Sequence, residues 1–354
     1  MDNLSHGLWG IGIYGAWLAQ QPHVVHSPLT TTVFLASVLG SEAPDADYVV
    51  KLVRGPQAYL KHHRAASHSF PAWLLSSVVI ASGLSLWHPG HFMLLFSMAL
   101  IGVVVHVLLD ILTPYGTQAL WPISKHRFRL DVLFTLDPVF FAIGAIGFVL
   151  FAHDGAQQAA IHWSFGIAAL YILARALIVV LLSSRVRRNY PGAERVSVLP
   201  QAVPWGWGYV AESQDGVEAG AIRLLARDGV EVRWRRPQKD SAVSFAMNET
   251  TGGRIFVAFA RHLIWQVKRD GEWTRVYLAD ATYRFRNWMP FSMCISLAPS
   301  QGSEWRLGSE VLRGQTLDFA ATVQEFSDST HASDQASGMD EGRRLKPKIP
   351  SEYR

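Results

Sequence analysis

The chain has 354 residues, 49% of them hydrophobic and 17% charged, with a net charge of +4. It can therefore fill a sizeable core while carrying fewer charges than the roughly 25% usual in soluble domains. One cysteine, Cys294, excludes an intrachain disulfide and a cysteine-based zinc cluster, so any metal must sit on histidines and carboxylates.

The N-terminus, Met1-Asp2-Asn3-Leu4-Ser5-His6, lacks the basic region and small-residue cleavage site of a signal peptide, so nothing reads as removable. Membrane segments themselves should direct insertion. Gly7 to Leu18 and Pro28 to Leu39 are short apolar runs that form a tight membrane hairpin or pack beside the membrane. Four longer runs approach the roughly 20 apolar residues a spanning helix needs: Phe70 to Trp87, His91 to Leu109, Pro138 to Ala152 and Trp163 to Ser183. The count is four to six spans or membrane-embedded helices. Basic residues gather before the first clear span (Lys51, Arg54, Lys61, Arg64), after the second (Lys125, Arg127, Arg129) and after the fourth (Arg185, Arg187, Arg188, Arg195). The loops around Pro89 and Gly155 carry none, which puts both termini in the cytoplasm of a multi-pass inner-membrane protein. Arg175 falls inside the last run, where a charge costs at least about 2.5 kcal/mol. It faces a polar pocket, or the helix starts earlier, near Ala159, and Arg175 reaches the interface.

Beyond Arg195, polar and apolar residues alternate in Gly229 to Arg235 and from Trp273 to Phe285, with Arg269-Asp270-Gly271 as a hairpin turn. The fold class expected is an α-helical membrane bundle followed by a small, mainly antiparallel β domain in the cytoplasm. Its units are residues 1–185 for the bundle with its metal site, 186–325 for the β domain and 326–354 for a disordered, Ser- and Asp-rich tail. Trp205, Trp207, Trp234, Trp265, Trp273 and Trp288 read as core and cross-strand fillers, with a binding face as the alternative.

Twelve of the fourteen histidines lie in the first 162 residues, and His6, His62, His63, His68 and His106 fall with several aspartates at the predicted cytoplasmic span ends. His106 and Asp110 share a helical face at i and i+4, close enough to bind one ion. Asp45 and Asp47 follow Pro44 and present two carboxylates, or else cap a helix. His62-His63-Arg64 and His68 precede a span, and Asp131 and Asp137 precede another. Such donors suit a divalent ion, zinc before manganese or iron, and the chemistry they permit is metal-assisted hydrolysis. Arg64 is a candidate anion clamp and an uncoordinated aspartate such as Asp47 a candidate base.

The strings MDNLSHG, PDAD, HRAASHS, HVLLDILTPYG and LDVLFTLDP occur in order over about residues 1 to 140. Together they resemble the bacterial membrane-bound, metal-dependent hydrolase family typified by YdjM. The H-x-x-x-D element followed by proline is similar, over a shorter pattern, to the zinc-site helix of the phospholipase C and single-strand nuclease superfamily. The resemblance implies His6, Asp45, Asp47, His63, His68, His106 and Asp110 as ligands, with Asp131 and Asp137 as further ones. The expected function is hydrolysis of a phosphoester or lipid-type substrate at the cytoplasmic face. Membrane lipid and a small-molecule or lipid substrate are the expected partners, and nucleic acid is not. The alternative is a non-catalytic, metal-stabilised membrane module whose β domain binds a regulatory protein. A metal transporter fits poorly, because its ligands belong near the bilayer midplane.

Overall fold

A computed structural model describes residues 1–47, 64–152, 157–224, 229–235, 239–284, 288–300, 305–313 and 315–316. The expected tail at 326–354 lies outside them. Among the described residues, six helices make the N-terminal part: α1 Asn3–Ala19, α2 Pro28–Glu42, α3 Phe70–Ser85, α4 Phe92–Ile111, α5 Pro138–Phe151 and α6 Gln157–Asn189. Local signals set their starts. Asp2 caps α1 by accepting from Ser5 N at 3.0 Å, Ser27 caps α2 just before Pro28, and Asp137 caps α5 by accepting from Phe140 N at 3.0 Å.

Two helices, Phe92–Ile111 and Ala159–Asn189, are long and apolar enough to cross a membrane, while the apolar α3 and α5 are shorter. At 33 residues α6 is roughly 50 Å long, against about 30 Å of hydrocarbon, so part of it must project beyond any bilayer. Its middle turns Leu170, Leu173, Leu177 and Val180 outward, an apolar face left exposed among the described residues. Its last turns instead pack Leu182 and Val186 against Val198, Trp207 and Tyr209 of the β part.

The remaining elements are β1 Arg195–Pro200, β2 Trp207–Glu212, β3 Gly216–Ile222, β4 Gly229–Arg235, α7 Ser241–Asn248, α8 Thr251–Phe259, β5 Leu263–Asp270, β6 Trp273–Asp280, β7 Trp288–Met289, β8 Ser292–Pro299, β9 Trp305–Leu312 and β10 Gln315–Thr316. β1 to β4 form one antiparallel meander, β5, β6, β8 and β9 a second antiparallel sheet, and β7 pairs with β10. The predicted hairpin joins β5 and β6, with Asp270 opposite Trp273 and Gly271 at φ +58°, the left-handed conformation this tight turn requires. The alternation that continues to Phe285 stops as a strand at Asp280. That carboxylate accepts from the backbone N–H of Arg261, His262 and Thr282 and turns the chain into a short 3₁₀ segment. Helices α7 and α8, absent from the sequence expectation, cover the second sheet with Ala242, Val243, Ala246 and Phe256. The tryptophans divide: Trp207, Trp234 and Trp265 are buried, whereas Trp205, Trp273 and Trp288 are exposed.

The two sheets are bolted by a buried relay. Ser197 Oγ lies 2.7 Å from His262 Nε2, and His262 Nδ1 lies 2.9 Å from Glu212 Oε2. Ionic and aromatic contacts join the helical and β parts. Arg261 pairs with Asp131 at 2.8 Å, and the Tyr115 and Tyr283 rings stack with centroids 4.6 Å apart. The helix does start earlier, as the alternative reading had it, and Arg175 is buried among polar groups. It donates to Pro204 O at 2.6 Å and Val132 O at 3.2 Å, and its guanidinium lies 3.9 Å from the Trp207 ring centre.

Candidate metal centre

The centre is assembled where α2 and α4 cross. Gly40 faces the backbone of Ala99 directly, and a Cβ on Gly102 would sit 2.7 Å from Ser37 O, so only glycine lets these helices approach so closely. That approach carries His106, one turn further along α4, to the C-terminal end of α2. There His106 Nδ1 donates to Ser41 O over 2.6 Å. The bond fixes the tautomer: Nδ1 holds the proton, and Nε2 presents a lone pair to the interior. The short 3₁₀ segment Ala43–Asp47 then delivers Asp45 beside it. Another, Ala66–His68, delivers His68, whose carbonyl accepts from Trp73 Nε1 at 2.8 Å and whose Nδ1 lies 2.9 Å from Ser67 Oγ.

One ligand atom from each of Asp45, His68, His106 and Asp110 lies within 4.8 Å of all the others. His106 Nε2 is 3.2 Å from His68 Nε2, 3.6 Å from Asp110 Oδ2 and 3.7 Å from Asp45 Oδ1. His68 Nε2 is 3.1 Å from Asp110 Oδ2 and 3.5 Å from Asp45 Oδ1. Four donors about 2.1 Å from a tetrahedral ion stand roughly 3.4 Å apart, so these separations match a zinc-sized shell. Burial sharpens the match, since His68, His106 and Asp110 are almost fully buried and Asp45 is 9% exposed. Asp45 Oδ1 and both ring nitrogens of His6 have no hydrogen-bond partner. Buried lone pairs converging without donors are costly, and a cation among them removes the cost.

His6 flanks the four: its ring stacks on His106 with centroids 3.6 Å apart, and its Nε2 lies 3.5 Å from Asp110 Oδ1. Arg64 has φ +56° and aims its guanidinium at the same outer oxygen of Asp110, 2.9 Å away, while donating to Thr113 Oγ1 at 3.3 Å and Met1 O at 3.2 Å. The Met1 amino nitrogen also bonds that oxygen. Arg64 is thus turned toward a ligand, which it orients and whose charge it balances.

Two expected ligands stand elsewhere for clear reasons. Asp131, at φ +56°, pairs with Arg261 of the β part. Burial pushes its carboxyl up, and the guanidinium pulls against that shift. Asp137 is spent on the α5 cap and on accepting from Tyr171 Oη at 3.0 Å. His63 lies outside the described residues, as does the side chain of Asp47. The sequence reading missed Thr113 and Tyr115. The latter's ring lies under the Arg64 guanidinium, 5.1 Å from centroid to Cζ, and burial pushes its phenol up to about 12, so it stays protonated. Both stand in the quoted string HVLLDILTPYG, where they read as a turn and not as supports.

Ser197, His262 and Glu212 have the spacing of a nucleophilic triad, but Ser197 is 2% and His262 0% exposed.

A family model described as YdjM inner membrane protein matches residues 1–184. An uncharacterised protein of Bacillus subtilis (strain 168), YfhP, is 27% identical over 303 residues, which span 82% of this chain and 89% of YfhP. That similarity is longer than the family match, so it extends into the β part. No solved structure matches the chain.

Proposed function

Because the chain belongs to the YdjM inner membrane protein family, we propose that it is a membrane-bound, metal-dependent hydrolase of a phosphoester or lipid-type ester at the cytoplasmic face. The observation that carries this is the convergence of Asp45, His68, His106 and Asp110 at the ends of apolar helices, with donor-free lone pairs left over. These four residues would hold the ion. Zinc suits imidazole and carboxylate together, and manganese and iron accept the same donors. When bound, a divalent ion polarises an ester oxygen and makes water a better nucleophile near neutral pH.

The chain's own groups do the rest. His106 is held as the Nδ1–H tautomer by Ser41 O, which keeps Nε2 available. Arg64 fixes Asp110, so that Oδ2 faces the histidines. His6, with neither ring nitrogen hydrogen-bonded, is the side chain placed to take a proton at Nε2 as water attacks. In orientation, the basic loops put both termini in the cytoplasm of a multi-pass protein. The test is hydrolysis of a broad phosphoester and carboxylic-ester panel by metal-loaded protein in nanodiscs. Turnover abolished by chelator and by His6→Ala supports the reading, and no turnover on any ester refutes it.

A second reading, a non-catalytic module whose metal fixes the bundle while the β domain binds a regulatory protein, draws on the near-complete enclosure of the centre and its ties to the β part through Tyr115 and Asp131. Partner capture that survives metal removal would refute that coupling.

A further inference from the structure

A cavity of about 550 Å³ lies between the helical and β parts, and the metal chemistry proposed above does not use it. Its volume falls within the roughly 300–1,000 Å³ of small-molecule sites. The floor is Tyr115, just beyond the end of α4, and Phe134, just before the start of α5; the opposite wall is built by Leu199 and Val210 of the first sheet, with Tyr283 and Arg284 at the side. The floor therefore sits in the segment just beyond the ends of two apolar helices, the level at which a leaflet covering those helices would present its headgroups.

The lining is largely apolar and aromatic, with few polar groups among its members. One, Thr282, is 8% exposed and its Oγ1 lacks a hydrogen-bond partner. The charge nearby is mostly positive: Arg284 lines the cavity, and Arg129 and Arg127 act electrostatically on Tyr283, against the single carboxylate of Asp280, which already accepts three backbone N–H groups. An apolar body with an anionic head satisfies both features, whereas a fully polar solute would strand its polar groups against the walls.

We infer that this cavity binds the tail of a single-chain anionic amphiphile drawn from the adjacent leaflet. The inference rests on the hydrolase reading for its role, since it narrows the ester to an amphiphilic one. Tyr115 makes the connection, because one face of its surroundings is the cavity and Arg64, which holds Asp110, lies over its ring.

The test uses dodecyl phosphate carrying a photoactivatable group at the tail end, crosslinked to the full-length protein in nanodiscs and mapped by mass spectrometry. Labels should fall on peptides containing residues 199–203 and 281–284. Ala202 is exposed where it lines the cavity, so Ala202→Trp should fill the space with little cost to folding, and labelling should drop about tenfold. Labels confined to the apolar helices, or undiminished in Ala202→Trp at unchanged metal content, overturn the inference. So does full competition by glycerol phosphate, because the anion alone would then be recognised. Asp110→Ala should keep the labelling. Labelled protein that hydrolyses no ester would sink the hydrolase reading and leave the cavity standing, and turnover without cavity labelling would do the reverse.

Discussion

Two buried clusters pair histidine with carboxylate in this molecule, and they are finished in opposite ways. In the β part, His262 has a partner for each of its nitrogens: Asp280 for the backbone N–H, Ser197 and Glu212 for the ring. In the helical part, neither ring nitrogen of His6 is hydrogen-bonded, nor is Asp45 Oδ1, and His106 and His68 bring Nε2 atoms within 3.2 Å. A saturated cluster is complete as it stands and serves as a bolt between sheets. A cluster with surplus lone pairs is one that a cation could complete. Residue type alone does not separate the two cases; hydrogen-bond accounting does.

The contrast can be broken by substitution. The largest effect should come from Asp110→Asn, which keeps the shape but removes the charge two histidines and Arg64 converge on. Metal should fall below detection, and the stabilisation that metal confers on wild type in thermal unfolding should vanish. Next, His262→Ala strands the buried Glu212 and Ser197 and should cost about 2–4 kcal/mol in denaturant unfolding while leaving metal content unchanged. Metal lost from both variants alike would erase the distinction.

Arg64→Ala removes a support and keeps every ligand, so metal affinity measured by competition with a chelator should weaken about ten- to a hundredfold. The smallest effect concerns Arg261→Gln, which takes the cation from Asp131. Burial raises that carboxyl's folded pKa, so its ionisation costs stability as pH rises through it, and Arg261 offsets the cost. The variant should be more destabilised at neutral pH than in mild acid, and an equal loss at both would contradict the pairing.

Much of the candidate cluster was legible because its signals are local. The i, i+4 pair His106 and Asp110 shares a helical face, and Pro44 and the span start at Phe70 mark where Asp45 and His68 leave regular helix. What was not legible depends on long-range geometry. His262 meets Ser197 and Glu212 of the first sheet from 65 and 50 residues away, so no motif announces the trio. Asp131 and Asp137 have the residue type of ligands, but a left-handed backbone and a helix cap assign them elsewhere. The Arg175 anomaly was visible, and its resolution required knowing that α6 continues past the apolar zone into contact with Trp207. Helices α7 and α8 were missed because they are only 8 and 9 residues long and their pattern is brief beside the strands that flank them.

Elemental analysis of detergent-purified wild type beside His68→Ala, Asp110→Ala and His262→Ala, each with folding verified, tests the metal centre most directly. Stoichiometric metal in wild type and His262→Ala, lost from the other two, is the expected result. Metal absent from folded wild type, or retained when either ligand is removed, would contradict the assignment of Asp45, His68, His106 and Asp110 to a metal ion.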